Sequence, residues 1–319
     1  MKAVIVEKAG GSEQLKVVDR PIPELKEGWS LIKIKGFGIN RSEIFTRQGY
    51  SPSVTFPRVL GIECVGVIEA TSDSQRFTPG QRVVSIMGEM GRDFDGSYAE
   101  YVLLPNQQIY PIKTDLPWEK LAAVPESYYT AYGAYKNLKL KASDQILVRA
   151  GASGVALAFL NLVKSSLPKA SVTASLRNPA KKAKLLASGY NQVIIEREGI
   201  LETNQTFDKI LDLVGPSAVD DNLNHIKENG ILCIVGLLGG QWTLEHFDPI
   251  MALQKNVYLT AFYSGNVDVD KLQEFFDFIA THKVEIRAEK ILSLEQIKEA
   301  HDYLEGAEAL GKVIILNEE

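Results

Sequence analysis

The chain has 319 residues, of which 45% are apolar and 24% charged, and a formal net charge of −5. That apolar content offsets the entropy of ordering and excludes disorder as the main state. The longest apolar runs, such as residues 231–238, are far shorter than the ~20 residues of a membrane-spanning helix. The acidic balance makes a nucleic-acid partner unexpected. Two cysteines, Cys64 and Cys233, are too few for a disulfide scaffold and read as buried thiols. The start MKAVIVEKAGG lacks a signal peptide's apolar region and cleavage site, so a cytoplasmic protein is expected.

In chain order, the first ~110 residues read as β-rich. Residues 31–35 alternate apolar and charged, the period of a half-buried strand. Residues 62–68, 82–86 and 98–104 are further strands between Gly, Pro and Asp turns, which suggests a barrel-like or sandwich unit. Residues 121–138 have helical spacing, although their aromatics also suit a strand. Strands and helices then alternate: strand 146–150, helix 155–165, strand 172–176, helix 180–188, strands 193–195 and 209–214, helix 218–227, strand 231–235. This is the pattern of a doubly wound parallel sheet. Helices 269–280 and 294–304 and a closing strand 312–316 are expected to return to the first unit. The nucleotide-type domain, residues 121–262, is then an insertion between 1–120 and 263–319.

The strand 146–150 runs directly into Gly151-Ala152-Ser153-Gly154-Val155-Ala156 and a helix. Small residues there let the backbone approach a pyrophosphate seated on the helix N-terminus. The fingerprint is imperfect, because Ser153 and Ala156 stand in place of its second and third glycines. Residues 145–195 contain no Asp or Glu but seven basic residues, Arg149, Lys164, Lys169, Arg177, Lys181, Lys182 and Lys184, so the rest of the chain carries −12. An NAD site usually places an acid about 20 residues past the turn. Here that stretch reads Ser175-Leu176-Arg177-Asn178, which favours a 2′-phosphate and hence NADPH.

Further motifs are Gly38-Ile39-Asn40-Arg41-Ser42-Glu43, Arg47-Gln48-Gly49-Tyr50, Phe56-Pro57, Gly61-Ile62-Glu63, Gly96-Ser97-Tyr98-Ala99-Glu100-Tyr101, Thr130-Ala131-Tyr132, Asp212-Leu213-Val214-Gly215 and Val235-Gly236. With these, nearly the whole chain resembles the zinc-free medium-chain dehydrogenase/reductases of the quinone oxidoreductase (zeta-crystallin-like) group. The resemblance implies a GroES-like β-rich barrel domain and a Rossmann doubly wound domain, with NADPH in a cleft. It implies that Thr130, Gly151, Ala152, Ser153, Gly154 and Val155 contact the nicotinamide ribose and pyrophosphate. Ser175, Arg177 and Lys181 would hold the adenosine phosphate, and Val214, Gly236, Leu237 and Phe262 would line the nicotinamide. Asn40 would sit beside the reacting ring, with Phe45 and Tyr50 lining the substrate pocket. Glu196 stands where some relatives have a phosphate-binding tyrosine. The resemblance also implies a homodimer joined through edge strands, the candidate here being residues 256–262, which would need covering.

Zinc-dependent relatives carry a Cys near Asn40 and a His where this chain has Ile62, and neither residue here is a usual zinc ligand. His225, His246, His282 and His301 show no metal-binding spacing, so no metal is expected. Without metal help, an acceptor that is already electron-poor is the natural substrate, such as a quinone or conjugated carbonyl. Asn40 either donates a hydrogen bond to the carbonyl oxygen as charge develops or serves as a turn residue. Glu43 either orients the pocket or is a surface acid. Alternatives to quinone reduction are reduction of enoyl or 2-alkenal C=C bonds, or NADPH binding with little turnover.

Overall fold

The computed structural model describes residues 1–317. Its contacts divide the chain into two units. The first comprises Met1–Tyr129, Ser264–Ala280 and the chain from Ile286 onward; the second comprises Thr130–Tyr263 and Thr281–Glu285.

In the first unit, the strand Trp29–Ile39 is the axis of a largely antiparallel sheet. It pairs with Glu63–Thr71, Tyr101–Pro105 and Val313–Leu316. The alternation expected at residues 31–35 is present: Leu31, Ile32 and Ile34 are buried, and Lys33 and Lys35 only half so. Ile32, Phe37, Leu60, Met90, Tyr98 and Val102 belong to its core. A smaller sheet joins Lys2–Val6, Leu15–Asp19 and Arg58–Val59. The closing strand does return here, pairing Val313 with Ile39. That register carries Lys312 alongside Asn40, 272 residues away in sequence. The helix Val269–Thr281 buries Leu272, Phe275, Phe276 and Ile279, the i, i+3, i+4, i+7 stripe of an amphipathic helix.

The second unit is built on a seven-stranded sheet. From one edge its strands are Ile200–Leu201, Gln192–Arg197, Ser171–Leu176, Gln145–Val148, Phe207–Asp212, Ile226–Ile234 and Tyr258–Ala261. All neighbours are parallel except the short Ile200–Leu201, which folds back as a hairpin. Counted along the chain, the six parallel strands stand in the order 3-2-1-4-5-6, that of a Rossmann sheet. The core includes Leu147, Phe207, Ile210, Val219, Ile226 and Leu232. One boundary differs from expectation. The helix ends at His225 and the next strand starts at Ile226, because Ile226 is fully buried opposite Phe207. Residues 121–138, ambiguous in sequence, are helical over Pro125–Leu138, with proline in the first turn where its missing N–H costs nothing.

Candidate functional site

The strand order reverses between Gln145–Val148 and Phe207–Asp212. In such sheets ligands bind beyond the C-terminal strand ends at that point. The turn following Gln145–Val148 is held from several sides. Ala150 lies in the left-handed region at φ 57°. The Ala150 N–H donates to Ser175 Oγ (3.2 Å) and the Gly151 N–H to the Ser175 carbonyl (2.9 Å). The buried Tyr190 hydroxyl donates to the carbonyls of Gly151 (3.0 Å) and Ala156 (3.3 Å). A Cβ on Gly151 would lie 2.5 Å from the Ala174 Cβ, so the close approach of the turn to the strand Ser171–Leu176 requires glycine.

The helix Gly154–Ser166 then begins, with Ser153 as its N-cap accepting from the Ala156 N–H at 3.3 Å. A helix leaves its first N–H groups without intrahelical acceptors, and they form an anion-binding end. Ala152, Ser153, Gly154 and Val155 are half-buried beside it. This turn and helix start fit a pyrophosphate.

The second turn at the reversal is built by Asp212. Its Oδ1 accepts from the N–H groups of Val214 (2.7 Å) and Gly215 (3.1 Å), and its Oδ2 from Asn222 Nδ2 (2.9 Å). Burial pushes the Asp212 carboxyl up to about 6, against the opposing pull of the Gly215 and Val214 N–H groups. Gly215 has φ 90°, and a Cβ there would meet the Gly236 carbonyl at 2.7 Å. The Leu238 N–H donates to the Leu213 carbonyl and the Gly239 N–H to that of Val214. Val214, Gly236 and Leu237 are thereby gathered at adjoining strand ends. Phe262 lies over Gly133, one turn along the helix that carries Thr130, where a Cβ would come within 2.3 Å of its ring.

Beneath both turns lies a buried charge network. Arg149 is fully buried and donates through Nε to Glu196 Oε2 (3.1 Å). Its Nη1 reaches Asp221 Oδ2 (2.7 Å) and Asn222 Oδ1 (2.9 Å), and its Nη2 the Gly199 carbonyl (2.7 Å). Ser175 Oγ also donates to Glu196 Oε2, at 2.7 Å. This revises two expectations. Ser175 is fully buried with its hydroxyl engaged internally, whereas Arg177 is exposed and Lys181 half-buried just beyond it. The basic window also overstates its outward charge, because Arg149 faces inward onto two carboxylates.

In the first unit, Asn40 precedes the short helix Arg41–Arg47, which sequence reading did not anticipate. Its amide is enclosed by charge. Nδ2 donates to Glu63 Oε1 (2.8 Å) and Glu43 Oε1 (3.3 Å), and Oδ1 accepts from Lys312 Nζ (2.6 Å). Lys312 also donates to Glu63 Oε1 at 2.5 Å, and Glu63 Oε2 accepts the Glu126 N–H at 2.7 Å. The amide hydrogens expected to face a substrate carbonyl thus meet two carboxylates, and Asn40 is a fixed part of this cluster. Glu43 is no surface acid: it is 1% exposed. Burial, with Glu63 nearby, raises its carboxyl to about 7 against the lowering effect of Lys312. Gly38 makes room for the cluster, since a Cβ there would lie 2.1 Å from Lys312 Cε. Phe45 is half-buried and Tyr50 is 63% exposed, and their rings meet edge-on at 6.1 Å.

Among the described residues no group of three or more His, Cys, Asp or Glu side chains is placed to hold a metal ion. The donors around Asn40 do not suit zinc either, because the Lys312 ammonium already serves as the cation of Asn40 Oδ1 and Glu63 Oε1. His301 is a core histidine between the Tyr98 hydroxyl (3.0 Å) and Arg47 Nη1 (3.2 Å). Both cysteines are buried free thiols, and burial pushes Cys233 up to about 12. Sequence reasoning missed Glu63, Lys312, Arg149, Tyr190 and Asp212 as site-forming groups. For Arg149 and Lys312 the available signal was a charge set directly against an apolar run, as in Leu147-Val148-Arg149 and Lys312-Val313-Ile314.

A β-rich unit and a Rossmann sheet in one chain define the two-domain layout of a nucleotide-binding dehydrogenase fold. Comparison with known proteins specifies it further. Residues 26–114 match the alcohol dehydrogenase GroES-like domain, and residues 188–315 the family described as zinc-binding dehydrogenase. Human quinone oxidoreductase is 30% identical over 339 aligned positions, covering 99% of this chain and 98% of the relative. Among solved structures, the quinone oxidoreductase from Coxiella burnetii has a TM-score of 0.84 at 25% identity, covering 100% of this chain and 99% of that one. A mycobacterial protein solved in complex with NADPH has a TM-score of 0.82 at 25% identity, covering 99% and 100%. The chain belongs to the medium-chain dehydrogenase/reductase family, in its quinone oxidoreductase group.

Proposed function

We propose that this protein is an NADPH-dependent reductase that delivers hydride to quinones or other conjugated carbonyls. One observation carries the choice of cofactor. The strand Ser171–Leu176 ends at exposed Arg177 and half-buried Lys181, with the neighbouring acid Glu196 buried and turned onto Arg149. The names of the human and Coxiella relatives support a quinone acceptor, and the mycobacterial structure in complex with NADPH supports the cofactor. Hydride donation is the chemistry NADPH supplies when bound. The chain's own residues bind and orient. The amides at the start of Gly154–Ser166 receive the pyrophosphate, Arg177 and Lys181 the ribose phosphate, and Val214, Gly236, Leu237, Thr130 and Phe262 the nicotinamide end. Ser175 acts from beneath by fixing Ala150. In the first unit we assign the acceptor to Phe45 and Tyr50, with Asn40 held rigid behind them by Glu63 and Lys312. Binding such an acceptor asks for orientation and little acid–base help.

We assign self-association to the outer edge of Tyr258–Ala261, the last strand of the second unit's sheet, whose Tyr258 is 61% exposed. The test is oxidation of NADPH and of NADH, followed at 340 nm, with 1,4-benzoquinone, 9,10-phenanthrenequinone and a 2-alkenal. Quinone turnover with NADPH is expected. Turnover of the alkenal alone, binding without turnover, or equal use of NADH would overturn the reading.

A further inference from the structure

The network beneath the glycine turn holds more charge than packing needs. Burying Arg149, just past the end of Gln145–Val148, against Glu196 carries a desolvation cost that an apolar pair would not. The arrangement does have a directional consequence at the cofactor end. Glu196 closes the strand next to Ser171–Leu176, and its Oε2 lies 2.7 Å from Ser175 Oγ, two residues before Arg177. An acid at this position would oppose a ribose phosphate. Instead it is 4% exposed and paired with Arg149 Nε at 3.1 Å. The other arms of the guanidinium reach Asp221 Oδ2, Asn222 Oδ1 and the carbonyl of Gly199, in the hairpin that follows Glu196. All three nitrogens are thus engaged in a planar fork that lysine could not reproduce.

We propose that Arg149 is a specificity-positioning residue: it draws the Glu196 carboxylate inward and offsets its charge, leaving Arg177 and Lys181 to meet a phosphorylated cofactor with that acid turned away. This rests on the NADPH reading above. Arg149 touches no cofactor itself. Its effect passes through Glu196 and is selective for the cofactor that carries the extra phosphate.

The experiment measures Kd for NADPH and for NADH, by calorimetry, in wild type, R149M, E196Q and R149M/E196Q, with a thermal melt of each. R149M is expected to weaken NADPH about tenfold, the effect of one charge over roughly 10 Å at an effective dielectric constant near 20 with some screening, and NADH by less than about twofold. E196Q is expected to bind NADPH at least as tightly as wild type. The double variant is expected to return to within about threefold of wild type, since losing Arg149 and Glu196 together leaves Asp221 alone and restores the net charge that the wild-type network carries. Equal weakening of both cofactors by R149M, or no recovery in the double variant, would overturn the inference. If R149M does not fold, E196Q decides: selective loss of NADPH affinity would refute the proposal. Wild type binding both cofactors equally would defeat the NADPH reading itself, which separates the two failures.

Discussion

Replacing Lys312 with Met probes the charge cluster around Asn40. The Lys312 side chain is 4% exposed and that of Glu63 is fully buried, so the pair is insulated from solvent. Methionine fills much of the same volume, so the chief loss is the cation. Removing one partner of a buried pair typically costs about 3–5 kcal/mol, because the other charge is left uncompensated. Here the loss depends on pH. Glu43 titrates at about 7 in the folded chain against 4.5 ordinarily, with burial as the main cause and Lys312 opposing it. A carboxyl raised in this way favours the folded state when protonated. Its contribution is complete below pH 4.5 and is lost as pH climbs to 7, about 3 kcal/mol over that interval. Without Lys312 the carboxyl rises further, and the cluster offsets the lost cation by keeping a proton on Glu43. Urea unfolding of K312M at pH 8 is expected to show the full loss of about 3–5 kcal/mol, and at pH 6 a loss smaller by about 1–2 kcal/mol. A loss below about 1 kcal/mol at pH 8, or an equal loss at both values, would show that Lys312 does not hold these carboxylates.

Two further outcomes follow from single residues. Ala150 at φ 57° bears left-handed strain, so A150G should stabilise the protein by about 0.5–1 kcal/mol in denaturant melts, the relief exceeding glycine's extra unfolded-state entropy; destabilisation would mean that the methyl packs usefully. Burial, aided by the Arg47 charge, lowers His301 from 6.5 to about 3. The unfolded chain therefore takes up a proton that the folded chain refuses. Stability is lost as pH falls below 6.5, by about 3 kcal/mol from this group at pH 4.5, and H301L should lack that component in a pH series of melts.

How far the sequence could be read varied with the kind of signal. Alternation at residues 31–35 and the strand–helix rhythm after 145 reflect local periodicity, and both appear in the structure. The glycine turn was legible because a strand running at once into small residues and a helix is a local event. Arg149 was misjudged, since the sequence counts its charge but cannot say that it points inward onto Glu196 and Asp221. Ser175 comes to the adenosine phosphate through the family resemblance, and nothing in its sequence neighbourhood reveals that its hydroxyl bridges Glu196 and Ala150. The helix Arg41–Arg47 was missed because seven residues present too short a pattern to rise above the surrounding strands.

From its residues alone the protein is a two-part chain with a nucleotide-type sheet, a small-residue turn between strand and helix, and no cysteine–histidine set for zinc. These properties depend on neighbours in the sequence, or on which residue types are present at all. The tertiary structure decided which charges face a ligand and which face each other. Lys312 meets Asn40 because the closing strand pairs Val313 with Ile39, Glu63 joins them because its strand pairs with Trp29–Ile39 on the other side, and Arg149 meets Glu196 because the strand it follows lies two away from that of Glu196 in one sheet. Charge in a folded protein acts according to its burial and partner, and both are set by contacts between residues far apart in the chain.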